Sequence, residues 1–495
     1  MDAVSMDLKS WADSRVHAAE VDRYLEASGQ DFVDDGAIAH ALAQAKAPDD
    51  ARLQALLDKS LAIQDLSLAE AAELMAVRSP QQRKRMADAA LAVKEKVYGK
   101  CIAAFAPLYL GNACVNACSY CGFLTNRTDE TRRVLSEAEI SAEVEVLAGQ
   151  VGHRLLLAVV GEHPSSDAKY MADSLAAIHA VQAPQGTRYS QVRCVGLNAP
   201  PMCIADLQAI QAAGLASYHV HQATYDRAAY QAAHRDGPKA DYRWRLYAMH
   251  RAMEAGIPNV GLGILAGLAD WRFELLALLQ HAQALEGRFG RGPASINLQR
   301  LDPRNPAADP TYAVTEDEFL RLLTVLRLAL PYVGLIVTAA EGHSLRQKAL
   351  RLGATQTDAA PAVGVGAYHQ GGVIPSMSCR QFALGDAEPL QDLVSELREA
   401  GSLASFCPPC SLGLRPAKEA MAALRSGATA KACQLNAILT FKEWVEDFAD
   451  PEAAALGEAL LQSEIADVSQ RQPESYAQLM DYFKRTSDGE RDLAF

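Results

Sequence analysis

From about residue 100 to residue 366 the chain repeats one pattern: a short β-branched or apolar run ending in Gly, Asn or Glu, then a longer amphipathic helix. Candidate strands lie at 103–110, 155–161, 189–197, 217–222, 259–265, 295–301 and 334–339, with an eighth, poorer one within 354–366. The clearest helices between them are 136–148, 241–255, 272–288 and 316–330. A strand that hands over to a helix cannot return as a hairpin, so its successor lies parallel to it. Eight such repeats over about 270 residues predict a (β/α)8 barrel, an α/β fold whose chemistry sits at the C-terminal ends of the strands. That end is where each motif must fall to matter.

The flanks read differently. Residues 1–98 are rich in Ala, Leu, Glu, Lys and Asp, with apolar positions at helical spacing in 51–61 and 86–97. Ser67 ahead of Leu68, Ala69 and Glu70 predicts a capping box for a helix over 68–77. Residues 387–495 are again helical, at 390–400, 416–424, 436–448 and 451–464, but are interrupted by cysteines. The expected layout is a helical N-terminal extension (1–98), a barrel (99–386) and a helical C-terminal cluster-binding region (387–495). At 495 residues and 49% hydrophobic, the chain has material for a large core. Its net charge of −13 argues against bare nucleic acid as a partner. With neither a membrane-length apolar run nor a basic-then-apolar start, the expected location is the cytoplasm.

Ten cysteines in such a chain are not expected to form disulfides. Cys101, Cys194, Cys203 and Cys379 are scattered and read as small buried hydrophobes. Cys114, Cys118 and Cys121 are not scattered: they follow the first strand directly, at spacings of four and three. Cubane clusters take four Cys ligands, so three thiolates leave one iron open. A closed zinc site wants four ligands, and no fourth Cys or His lies close in sequence. With Tyr120 just before the last Cys and Gly122 just after it, the segment resembles the Cys-x3-Cys-x2-Cys pattern of radical S-adenosylmethionine enzymes. The open iron of such a cluster chelates the amino and carboxylate groups of S-adenosylmethionine. Gly161-Glu162 at the second strand's end resembles the motif that meets the methionyl amino group. Arg300, ending the sixth strand, is either a carboxylate clamp or a surface arginine.

A second set, Cys407, Cys410 and Cys433, forms a Cys-x2-Cys-x22-Cys array. A redox Cys-x-x-Cys would leave Cys433 unexplained; three thiolates again suit a cluster with one open iron. With this array the barrel resembles the HydG-type tyrosine lyases, maturases of FeFe-hydrogenase. The resemblance runs from about residue 100 to 448 and includes Ala106-Pro-Leu-Tyr109, Gly237-Pro-Lys-Ala-Asp-Tyr242, Val260-Gly-Leu-Gly-Ile-Leu265 and Asn436-Ala-Ile-Leu-Thr-Phe-Lys-Glu443. The related lyase ThiH shares the barrel but lacks the second array. The resemblance implies cleavage of the Cα–Cβ bond of tyrosine to p-cresol and dehydroglycine. It further implies conversion of dehydroglycine at the second cluster to carbon monoxide and cyanide on an additional iron. The implied cofactors are two 4Fe–4S clusters, the second with an additional iron, and S-adenosylmethionine. The implied partners are maturation proteins and an electron donor such as flavodoxin or ferredoxin. In that family a histidine helps hold the additional iron; His281 is the candidate, against a satisfied core histidine. Three departures bear on the substrate: Ala223 where relatives carry an acid, Gln299 and Asp302 where they carry proline and arginine, and the unusual segment 355–361.

Overall fold

The computed structural model describes residues 7–124, 132–185, 188–305, 307–369, 381–407 and 415–495. Eight strands close into a parallel barrel: β1 (Cys101–Gly111), β2 (Leu155–Val160), β3 (Cys194–Asn198), β4 (Ser217–His219), β5 (Val260–Ala266), β6 (Ser295–Arg300), β7 (Gly334–Ile336) and β8 (Gln356–Asp358). Neighbours in sequence are neighbours in the wall, and Ala103 of β1 pairs with Gln356 of β8 to close it. The expected (β/α)8 barrel is therefore present.

The local differences have physical causes. The run expected at 189–197 divides: Arg188–Ser190 pairs antiparallel with Ala183–Gln185 outside the barrel, and the wall strand begins only at Cys194. Tyr189 in that outer hairpin is exposed, so its β-forming character does not report burial. The helix expected over 241–255 is two pieces, Tyr242–Leu246 and Ala248–Glu254, which meet at Tyr247, itself stacked on Tyr24 of the N-terminal extension. The expected cap is present: Ser67 and Glu70 form a reciprocal capping box at the start of helix Leu68–Ala76.

A ninth strand, β9 (Leu403–Ser405), joins the wall at the bottom of β1, with Cys101 opposite Leu403. Three residues are too few for a period-two signal, and the sequence does not reveal it. β1 is long enough to take it: its first residues pair with β9 and β8, and its later ones, from Ala106 to Gly111, pair with β2. Helix Pro80–Tyr98 turns straight into β1 through Gly99 (φ 66°). Helix Ala428–Phe448 packs on that helix, where Thr429 Oγ1 donates to the Val97 carbonyl at 2.8 Å. A Cβ on Gly427 would come within 2.7 Å of the Lys96 carbonyl oxygen, so this approach requires glycine.

Charged groups fasten the C-terminal region to the strand-start end. Glu443, fully buried, accepts from Arg193 at 2.9 Å and lies 3.4 Å from Arg154; it also accepts the backbone N–H of Asp492 at 2.8 Å. Arg154 and Arg193 precede β2 and β3, so one carboxylate ties two strand starts to the C-terminal helix and the chain end. Among the described residues no helix is long and apolar enough to cross a membrane. Removing one partner of a buried ion pair leaves the other uncompensated. Glu443→Ala is therefore expected to cost about 3–5 kcal/mol in denaturant unfolding. Asp13→Ala, which breaks an exposed i,i+4 pair with Lys9, is expected to cost under about 1 kcal/mol.

Candidate functional site

The loop after β1 carries Cys114, Cys118 and Cys121 at the strand-end mouth, and it is held from three sides. Val115 N–H donates to the Glu162 carbonyl at 2.8 Å. Ser119 N–H donates to the Ala233 carbonyl at 3.0 Å, and Gly122 N–H to the Gln381 carbonyl at 2.9 Å. Gly161 lies so close beneath that a Cβ there would stand 2.2 Å from the Ala113 carbonyl oxygen. Gly237 (φ 80°) approaches Asn116 in the same way. The glycine of the Gly161-Glu162 pair is thus required by contact with the cysteine loop.

Burial, and then the neighbouring Cys118, push the Cys114 thiol up to about 11 and the Cys121 thiol up to about 12. Cys114 and Cys121 thus hold their protons until a metal takes their place, since cluster ligation requires thiolate. Glu162 is buried; its Oε2 accepts from Asn116 Nδ2 at 2.7 Å, while its Oε1 is buried with no partner. Burial raises its pKa, opposed first by the Asn116 bond and then by Arg245, Arg15 and Lys239. A buried acceptor without a donor is costly, and an ammonium group placed there would satisfy it. The residues therefore fit a three-thiolate cluster with the amino group of S-adenosylmethionine on Glu162.

Tyr120 is held beside this loop. Its hydroxyl lies 2.9 Å from His234 Nε2 and accepts from Lys239 Nζ at 2.7 Å, and its carbonyl accepts from Asn305 at 2.9 Å. Around its ring lies an apolar patch of Ala223, Ala233, Leu268 and Leu301. Ala223 itself sits at φ 70°, a left-handed conformation uncommon outside glycine. Opposite stands Arg245, buried. Its Nε donates to the His221 carbonyl at 2.6 Å, and its terminal nitrogens have no hydrogen-bond partner among the described residues. Sequence reasoning did not single out Asn116, His234, Lys239 or Arg245. Lys239 lay within the quoted Gly237–Tyr242 segment, and Arg245 three residues beyond it.

Arg300 is placed otherwise than as a free clamp. Its Nε donates to Glu341 Oε2 at 2.8 Å and its backbone N–H to Glu341 Oε1 at 2.7 Å, so a buried internal carboxylate already holds it. Asp302 turns outward into an ion pair with Arg304 at 2.7 Å and does not line the mouth.

The second cysteine group lies at the other end of β1. Cys433, within helix Ala428–Phe448, offers its carbonyl to the Cys101 thiol at 3.8 Å. Cys407 follows β9, and Cys410 and Cys379 lie outside the described residues. At about 3.3 Å per residue, the ten steps of β1 set the two groups about 30 Å apart. Between them the lower lumen encloses a cavity of about 100 Å³, with Phe105, Leu157, His219 and Gln356 in its wall and Met421 at its floor. The structure does not bring His281 to this group. His281 lies on helix Trp271–Phe289 outside the wall, its Nδ1 2.8 Å from the Tyr225 hydroxyl and its ring against Phe32 and His250. It is a packed histidine under the N-terminal extension, and burial lowers its pKa to about 3.

Gly161→Ala is expected to displace the first cysteine loop and to lower the iron bound there, read by iron analysis after anaerobic reconstitution. Glu162→Gln keeps the shape but loses the charge. Given 1.5–3 kcal/mol for a charged hydrogen bond, affinity for S-adenosylmethionine is expected to fall by about 10–100-fold in equilibrium binding.

Residues 108–279 match the Radical SAM superfamily, and residues 296–402 match the Biotin and Thiamin Synthesis associated domain. The chain is 28% identical over 302 residues to a 2-iminoacetate synthase of Escherichia coli (strain K12), covering 60% of this chain and 77% of that protein. Its fold superposes on a crystal structure of HydG, a maturase of the [FeFe]-hydrogenase, with a TM-score of 0.86 and 32% identity, covering 94% of this chain and 100% of the other. The HydG of Carboxydothermus hydrogenoformans matches at a TM-score of 0.74 and 30% identity, covering 87% of this chain and 94% of the other.

Proposed function

We propose that this chain, which belongs to the HydG family of radical S-adenosylmethionine enzymes, cleaves the Cα–Cβ bond of tyrosine to p-cresol and dehydroglycine. The observation that carries the reading is the buried Glu162, with one free oxygen, locked by Asn116 and Gly161 against the three-cysteine loop. When bound, a three-thiolate 4Fe–4S cluster with S-adenosylmethionine supplies a 5′-deoxyadenosyl radical. The residues around it suit an aromatic amino acid. Arg245 offers two uncommitted donors to a carboxylate, and the Ala223–Leu301 patch offers an apolar wall to a ring. Lys239 and His234 fix the Tyr120 hydroxyl from both sides and so hold that wall in place. An electron donor of the flavodoxin or ferredoxin kind is part of this reading.

The fate of dehydroglycine has two readings. HydG likeness adds carbon monoxide and cyanide formation at a second cluster with an additional iron, in concert with hydrogenase-maturation partners. The alternative is release of dehydroglycine, which is 2-iminoacetate, with the second cluster anchoring or carrying electrons. His281 is bonded to Tyr225, so on the longer sequence another residue would hold the additional iron. Chromatography of an anaerobic reaction of reconstituted protein with S-adenosylmethionine, dithionite and tyrosine decides. The expected product is p-cresol, with glyoxylate from hydrolysed dehydroglycine if release is correct, or cyanide if the longer sequence runs. Deoxyadenosine without p-cresol would remove tyrosine as the substrate.

A further inference from the structure

We infer that the His221 imidazole is a substrate contact, taking a hydrogen bond from the amino group of the amino acid whose carboxylate Arg245 holds. The inference rests on the reading that the mouth binds tyrosine. His219 ends β4 and His221 stands two residues further on, so the two share one face, and His219 lines the lumen cavity. Two glycines of the next strand seat the two rings. A Cβ on Gly261 would overlap the His219 ring, and one on Gly263 would lie 2.5 Å from His221 Cδ2. Any larger residue at either place would push a ring out of its seat, so Gly261 and Gly263 make room for the pair. His219 Nε2 lies 3.0 Å from Ser217 Oγ. Neither ring nitrogen of His221 has a hydrogen-bond partner among the described residues.

A second observation is the set of groups around it. The His221 carbonyl accepts from Arg245 Nε at 2.6 Å, which sets the guanidinium at the level of this residue. The amino group of an amino acid is carried by the same carbon as its carboxylate. A carboxylate on Arg245 therefore brings the ammonium to the level of His221, while the ring reaches Ala223, two residues nearer the mouth, and Leu301. Arg245 and Lys239 can only donate. His234 is used on both nitrogens, by the Tyr120 hydroxyl and the Tyr230 carbonyl, and Glu162 suits the amino group of S-adenosylmethionine. Of these side chains His221 has the acceptor to spare, and an ammonium buried without one is costly. Burial, and then His219, Arg245 and Lys239, lower its pKa to about 3. The ring is therefore neutral and keeps a lone pair to offer.

The test compares two ligands by equilibrium dialysis against the full chain, reconstituted anaerobically with S-adenosylmethionine. One is tyrosine; the other is desaminotyrosine, which keeps the carboxylate and the phenol but lacks the amino group. His221→Phe keeps a flat ring and removes the acceptor. It is expected to weaken tyrosine binding about 10–100-fold, the worth of a hydrogen bond to a charged group, and to leave desaminotyrosine binding unchanged. His221→Asn, which keeps a polar acceptor, is expected to recover part of the loss. An equal change for both ligands, or none for either, would overturn the inference while leaving tyrosine as the substrate. Equal affinity of the parent protein for the two ligands would overturn it as well. If the parent binds neither, tyrosine itself is removed and the inference falls with it. If His221→Phe does not fold, His221→Leu removes the acceptor in a smaller side chain and is read in the same way.

Discussion

The pairing of β1 with three other strands is the constraint on which the rest depends. Its early residues hydrogen-bond to β8, which closes the barrel, and to β9, which brings in the C-terminal region. Its later residues hold β2, whose end supplies Gly161 and Glu162. The same strand then runs directly into the first cysteine loop. Disturbing its register would at once open the wall, release Cys407 from the floor and detach the loop from Glu162. A parallel strand has no hairpin partner to fix its register. Here the register is fixed by buried alternation, with Ala103 and Phe105 inward and Ile102 and Ala104 packed in the outer core.

Buried charge near the mouth contrasts with buried charge in the scaffold. Glu443 is saturated by two arginines and a backbone N–H. Arg300 is likewise matched by Glu341. Glu162 and Arg245 are the contrast, each holding one bond to the scaffold and leaving its remaining atoms unmatched. Isolated unmatched charge in a dry site is unfavourable, so each of the two suits a charged group brought by a ligand.

How much of this was legible in the sequence depends on how local each feature is. The barrel shows because every repeat writes its own period, and Cys114, Cys118, Cys121 and Glu162 show because spacing and strand ends are local. Arg300 looked like a ligand clamp because nothing near it in sequence reveals Glu341, forty-one residues away. Asp302 looked like a change in the mouth, although its partner Arg304 draws it outward. His281 shares a helix face with Glu274, Leu278 and Leu285, and its bond to Tyr225 lies fifty-six residues away in sequence. Cys101 read as an ordinary core residue and is one, but its contact with the Cys433 carbonyl, 332 residues away, is not written locally.

The length of β1 has an electrical consequence. Electron tunnelling through protein decays exponentially with distance, and one strand holds the two cysteine groups about 30 Å apart. The lumen between them carries Phe105, His219, Tyr98 and Tyr332 among aliphatic and small side chains. Over such a length, direct exchange between redox centres at the two ends would be slow. On the reading that a cluster sits at each end, each would be charged from its own side of the barrel.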